Sequence, residues 1–339
     1  MRRASRRNAG FALVIVLWVL AGLAVVAVAV AGSASNTARS VKLLRDRLVA
    51  ERAFISTDAR IAVLAATGAG QRNSIISSGG NLIVDGRMTR VGDHQWVQIQ
   101  ETRGLLNLNL PDAMRLPKLL RYCGASEAQA AALGDALADY IDADDLKRIN
   151  GAEGFEYRAA GLPEPRNSPL LSREELWRVF GFAAIRDSWR AAGCDRLVTV
   201  HGDSALNRNT SPRELLLIDG ISEAAALAMI DAREQGLPDI AIQTQGDDAS
   251  NPYNFVSAGY VGKTLRIRHQ MDSIQWIAEY ELELTPQREG GPWRMHELRT
   301  PQKPPGVPKM GAVLPDIGVR LSERERTQLN AAPRLPFAN

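Results

Sequence analysis

The chain has 339 residues, 45% of them hydrophobic and 23% charged, which excludes a wholly disordered protein and leaves room for an anchor plus one or two globular units. The formal charge is +3, but four arginines lie within the first ten residues, and without these the charge is −1. The basic pI therefore belongs to the extreme N-terminus, which excludes a generally basic nucleic-acid-binding surface. The two cysteines, Cys123 and Cys194, leave two arrangements open, a disulfide or a pair of buried thiols, and spacing does not choose between them.

Arg2, Arg3, Arg6 and Arg7, with no acid among them, precede Gly10, and an apolar run begins at once with Phe11 and reaches Ala31 without a polar side chain. The positive-inside rule puts the arginines on the cytoplasmic flank and the rest of the chain on the other side. Three readings compete. A cleaved signal peptide would use Ala29-Val30-Ala31, although the run exceeds the usual apolar region of about 7 to 15 residues. An uncleaved anchor is long enough to span, since about 20 helical residues cross the hydrocarbon core. The third is the preferred one: the Gly10-Phe11 junction resembles a prepilin-like leader, in which a prepilin peptidase cuts after the glycine and the run stays as the N-terminal helix. Pilin-like families mostly carry a glutamate at the fifth residue after the cut, where this chain has Ile15. That absence is characteristic of the K-type minor pseudopilins of type II secretion.

Past Ala31 the pattern becomes amphipathic, with Val41, Leu44, Leu48 and Ile55 at helical spacing among charges, and no proline intervenes before Thr67. Gly68-Ala69-Gly70 ends the helix and a polar Ser/Gly/Asn stretch follows to Asn81. Strands are predicted over 81–85 and 95–100, and again over 264–269, 274–284 and 293–298.

Between these strand groups, from Arg103 to about Gly236, the signal is helical. A weak repeat lies within it: Leu106-Asn107-Leu108-Asn109 is echoed by Leu206-Asn207-Arg208-Asn209, and Gly124-Ala125-Ser126-Glu127 by Gly220-Ile221-Ser222-Glu223. Each copy reads as an Asn-x-Asn turn, a leucine-rich helix, a glycine stop and a Ser-capped second helix. The second copy resembles the helix-hairpin-helix module of DNA-binding competence proteins. Its hairpin lacks the second glycine that lets a phosphate approach, and Asp219, Glu223 and Asp231 would repel one, so a packing role is the better reading.

Asp135, Asp139, Asp142, Asp144, Asp145, Asn150, Glu153 and Glu156 form the most specific polar stretch. Hard oxygen donors with no His or Cys among them favour Ca²⁺. The loop is not an EF-hand, because the sixth position counted from Asp142 is Lys147 rather than glycine. Leu137-Ala138-Asp139-Tyr140-Ile141-Asp142, Asn150-Gly151-Ala152-Glu153, Asn167-Ser168-Pro169 and Glu174-Glu175-Leu176, with the Asn-x-Asn turns, are similar as a set to the K-type minor pseudopilin family. The resemblance implies calcium binding in the helical domain, with Asp142, Asp144, Asp145 and Glu153 as ligands.

The four histidines are scattered, and no catalytic motif is present, so no enzyme is expected. The expected fold is α+β: a pilin-like long N-terminal helix and an antiparallel sheet, interrupted by a large all-helical domain containing helix-hairpin-helix-like units. The expected segments are a leader (1–10), an apolar helix (11–31), an amphipathic continuation (32–67), a sheet domain (68–102 and 256–300), an inserted helical domain (103–255) and a proline-rich flexible tail (301–339). The resemblance implies an inner-membrane, single-pass protein with its C-terminal domain in the periplasm. It would cap a pseudopilus with I- and J-type minor pseudopilins, beside other pseudopilins and after processing by prepilin peptidase. A membrane-anchored DNA-binding protein for DNA uptake is the alternative.

Overall fold

The computed structural model describes residues 9–92, 95–203, 206–236, 260–271, 277–285 and 291–299. The expected leader up to residue 8, residues 237–259 and 274–276, and the tail from 300 lie outside them. The first element is the helix α1, Ala9–Thr67, continuous because no proline removes a backbone donor along it. Gly68 follows directly, where a Cβ would run into Ile75 and the carbonyl of Leu64. Within α1 the chain divides into two units, the first ending at Ile55 and the second starting at Ser56.

The first unit is helical and long and apolar enough to cross a membrane. Its apolar side chains are exposed from Phe11 through Val30, and so are Val41, Leu44, Leu48 and Ile55. Arg47 and Glu51 pair one turn apart at 2.6 Å.

In the second unit the end of α1 buries Ile61, Ala62 and Ala65 against Ile75, Leu82, Val97, Ile99, Leu265, Ile267 and Leu282. The stretch expected to be a polar connection instead contains strands β1 (Ala69–Gly70) and β2 (Ser74–Ser77), which form a small antiparallel sheet with β3 (Gly80–Ile83), the last overlapping the strand expected over 81–85. Ile75 and Leu82, cross-strand partners in this sheet, point into the core, so two apolar residues outweigh the surrounding serines and glycines.

Strands β4 (Asp85–Val91) and β5 (Gln95–Glu101) lead into the helical part. There follow β6 (Leu106–Asn107), α2 (Leu116–Tyr122), α3 (Glu127–Ile141), α4 (Gly154–Ala159), α5 (Arg186–Ala191), β7 (Val198–Thr199), α6 (Arg213–Ile218) and α7 (Glu223–Glu234). The chain returns to the sheet with β8 (Thr264–Met271), β9 (Ile277–Leu284) and β10 (Trp293–Arg299). The main sheet has the order β10-β9-β8-β5-β4, with every neighbouring pair antiparallel. β5 and β8 are therefore bonded neighbours, Glu101 opposite Leu265, and the helical domain is inserted between two adjacent strands.

That domain has its own core around Leu119, Leu120, Leu137, Tyr140, Tyr157, Phe182 and Trp189. Cys123 and Cys194 are bonded within it, both fully buried, and tie the end of α2 to the turn before β7.

The two hairpins are built alike. Asn107 Oδ1 accepts from the Asn109 amide at 2.9 Å, and Asn207 Oδ1 from the Asn209 amide at 3.0 Å. Gly124 (φ +99°) and Gly220 (φ +91°) turn the chain through the left-handed region, and Ser126 and Ser222 cap α3 and α7 with bonds of 3.3 Å. A small separate apolar cluster, Leu216, Ile221 and Ala226, closes the second hairpin.

Candidate functional site

The insertion is joined to the sheet by buried polar contacts. Glu101, at the end of β5, is fully buried and accepts from Asn207 Nδ2 at 2.6 Å, Thr210 Oγ1 at 2.6 Å and the Gly262 amide. Burial pushes its carboxyl above the usual carboxylate range despite those three donors. The second Asn-x-Asn turn is thereby hung on the end of β5. On β8 and β9, Arg266 and Glu281 pair at 2.8 Å, Arg266 also donates to the Val198 carbonyl, and Arg173 pairs with Glu279.

The histidines belong to the same framework. His201 Nδ1 lies 3.0 Å from Glu281, and its ring stacks on His296 at 4.4 Å. His296 in turn bonds Glu283 at 2.9 Å, and His269 is buried between Gln95 (3.1 Å) and Asp58 (2.6 Å). His94 lies outside the described residues.

The acidic stretch runs from α3 through the following loop to α4. Asp139 is fully buried and accepts from the amide of Arg148 at 3.2 Å and from its guanidinium at 2.7 Å; the same guanidinium reaches Asp142 at 2.6 Å. Arg148 is an internal counter-ion that the run of acids gave no hint of. Gly151 permits this closeness, since a Cβ there would strike Asp139 Oδ2. Asp144 caps the Leu146 amide at 2.9 Å, and Asp145 accepts from Asn167 Nδ2 at 2.8 Å.

Four oxygens in this region are buried with no hydrogen-bond partner among the described residues: both carboxylate oxygens of Glu153, Asp142 Oδ1 and Asn167 Oδ1. Asn167 itself holds a left-handed backbone (φ +48°). Glu153 is only 5% exposed, and burial, followed by the fields of Asp139, Asp142, Asp145 and Asp144, pushes its carboxyl up to about 7. Counted from Asp142, Glu153 is the twelfth residue of the loop, the position where calcium loops of the EF-hand kind carry a bidentate glutamate. These oxygens are donors of the type a hard divalent cation takes. The described residues contain no group of three or more His, Cys, Asp or Glu side chains arranged to hold a metal.

At the other end of the chain, Gly10 and Phe11 lie in the first turns of α1, with Phe11 and Ile15 exposed. In the second hairpin Arg208 pairs with Asp219 at 2.6 Å and Arg213 with Glu223, and Asp219 also takes Arg115, at the start of α2, at 2.7 Å.

A long N-terminal helix, an antiparallel sheet packed on its end and paired helical units inserted between adjacent strands define a pilin-like fold with a helical insertion. Residues 101–186 match the family model described as type II secretion system (T2SS), protein K. A chain from the crystal structure of the GspK-GspI-GspJ complex of the enterotoxigenic Escherichia coli Type 2 Secretion System superposes with a TM-score of 0.53 at 17% identity. The match covers 77% of this chain and 98% of that one, so the likeness is of fold over nearly all of the solved chain. A search of curated proteins finds no match. The matched model is a type II secretion protein and not a DNA-uptake protein.

Proposed function

We propose that the chain is the K-type minor pseudopilin of a type II secretion system, an assembly component and not a catalyst. The observation that carries this reading is the match of residues 101–186 to protein K in a segment that the fold inserts between β5 and β8. A domain inserted there adds bulk to one subunit without breaking the sheet, which suits a subunit at the end of a filament rather than in its body. The similar solved chain comes from a complex with GspI and GspJ, and I- and J-type minor pseudopilins are the partners we assign here.

In this reading a prepilin peptidase cuts after Gly10, and the helix from Phe11 anchors the protein once in the inner membrane with its C-terminal part in the periplasm. The exposed stripe of Val41, Leu44, Leu48 and Ile55 then meets the helices of neighbouring subunits. Ile15 stands where a carboxylate would otherwise reach a subunit ahead. In hydrocarbon such a group costs about 2.5–3.5 kcal/mol unless paired, so a tip subunit is better without it.

Asp142, Asp144, Asp145 and Glu153 would hold Ca²⁺, and the unpartnered oxygens of Glu153 and Asp142 support this assignment. The cation would supply charge neutralisation and would join the end of α3 to the start of α4. The functional assignment is tested by purifying the tagged full chain from membranes of cells that co-express the I- and J-type pseudopilins of the same system. Recovery of a stoichiometric three-component complex is expected; recovery of the chain alone under conditions where I and J are folded would overturn it.

A further inference from the structure

Alternation along the main sheet sends Val97, Ile99, Leu265, Ile267 and Leu282 to the face covered by α1. The residues between them form two polar rungs on the opposite face. Register places Glu281, Arg266 and Gln100 in one rung and Glu279, Arg268 and Gln98 in the next. The first rung is buried under the helical domain. The second is less buried and, together with Gln100 and Arg266 of the first, lines a cleft of about 280 Å³ bounded by the α6–α7 hairpin.

Arg268 differs from the other arginines of this cleft. Arg87 is clamped by Asp85 at 2.9 Å, Arg213 pairs with Glu223, and Arg233 donates to the carbonyls of Ser211 (2.8 Å) and Arg208. Glu279, the register partner of Arg268, is drawn instead to Arg173. Arg268 is half-buried and makes no hydrogen bond or ion pair among the described residues. Its guanidinium is open to the cleft with no protein acceptor in place among the described residues, and its planar fork matches a carboxylate.

We infer that this cleft binds an acidic side chain of a peptide segment presented by a partner protein, with Arg268 as the carboxylate-binding fork. Its volume suits one or two side chains and falls below the roughly 300–1,000 Å³ of small-molecule sites. Asp85, Glu234 and Glu279 also line it, and their fixed charge disfavours a dianionic phosphate more than a single carboxylate. The site is defined by sheet register and the cleft, independently of any role at a filament tip.

The test uses the full chain in detergent micelles and titrates a capped hexaglutamate peptide, followed by the arginine Nε–H resonances, with inorganic phosphate as the comparison. Saturable binding that shifts the Arg268 resonance, weakened about tenfold in Arg268→Gln at unchanged melting temperature, is expected. Arg268→Lys, which keeps the charge and loses the fork, carries the test if the glutamine variant does not fold; a loss of about threefold or more is expected there. Absence of saturable binding, equal binding by the variants, or phosphate binding as tight as that of the peptide would each overturn the inference.

Discussion

Arg266 on β8 and Glu281 on β9 are register partners whose charged groups meet at 2.8 Å with almost no access to solvent. The pair lies between the sheet and the inserted domain, because Arg266 also holds the carbonyl of Val198 and Glu281 also meets His201 and Thr199. Removing one partner strands the other. Arg266→Met is predicted to cost about 3–5 kcal/mol, read by thermal or denaturant unfolding, because it leaves a buried carboxylate without its cation.

Acid stability follows from the same pair. Burial opposes ionisation of Glu281, but Arg266, the hydrogen bond to His201 and Arg173 together override it and hold the carboxyl at about 2. The unfolded chain takes up that proton near the ordinary glutamate value, so between about 4.5 and about 2 the unfolded state binds more protons than the folded one. The contribution of Glu281 is therefore complete above that window and is lost as the pH falls through it. Glu281→Gln should flatten the decline in melting temperature over this range.

The Cys123–Cys194 bond closes a loop with a sequence separation of 71 inside the helical domain. Chain-entropy reasoning puts its contribution at about 4 kcal/mol. The double substitution Cys123→Ser/Cys194→Ser should lower the unfolding midpoint of that domain and abolish the effect of added reductant on it. An unchanged response to reductant in the parent chain would show that the bond carries little.

Glu153 provides a prediction with two opposite signs. With a chelator present, Glu153→Gln should raise the melting temperature, since it removes a buried carboxylate repelled by four aspartates. With Ca²⁺ present the parent should melt higher than its chelated form and the variant should show no such rise. Calorimetry that detects no heat and no melting shift with Ca²⁺ in the parent would end the calcium assignment.

Ile15→Glu should leave folding intact, because the side chain is exposed on α1 and contributes to no core. Secretion should fall as the new carboxylate disturbs placement of the subunit at the tip. Normal secretion by this variant would count against the role given to Ile15.

Much of the fold is legible in local pattern. The proline-free run to Thr67, the alternation in β5, β8 and β9, and the paired Asn-x-Asn, Gly and Ser signals all report backbone geometry within a few residues. Strands β1 and β2 are not legible, because only Ile75 and Ile76 mark them among polar neighbours, whereas β3 overlaps the strand predicted over 81–85. Pairing of the cysteines is not legible, since separation along the chain says nothing of separation in space. Arg148 carries no local signal, because its service to Asp139, nine residues away, depends on a loop that folds back on its own helix. The polar rungs of Arg266 and Arg268 emerge only once strands far apart in sequence are brought into register.

The most direct test of the pilin-like account is the N-terminal residue and intact mass of the protein recovered from cells that contain a prepilin peptidase. A chain beginning at Phe11, methylated on its amine, is the predicted result. A chain beginning at Met1 or at Gly32 would contradict it, leaving a plain anchor or a secreted protein in place of a filament subunit.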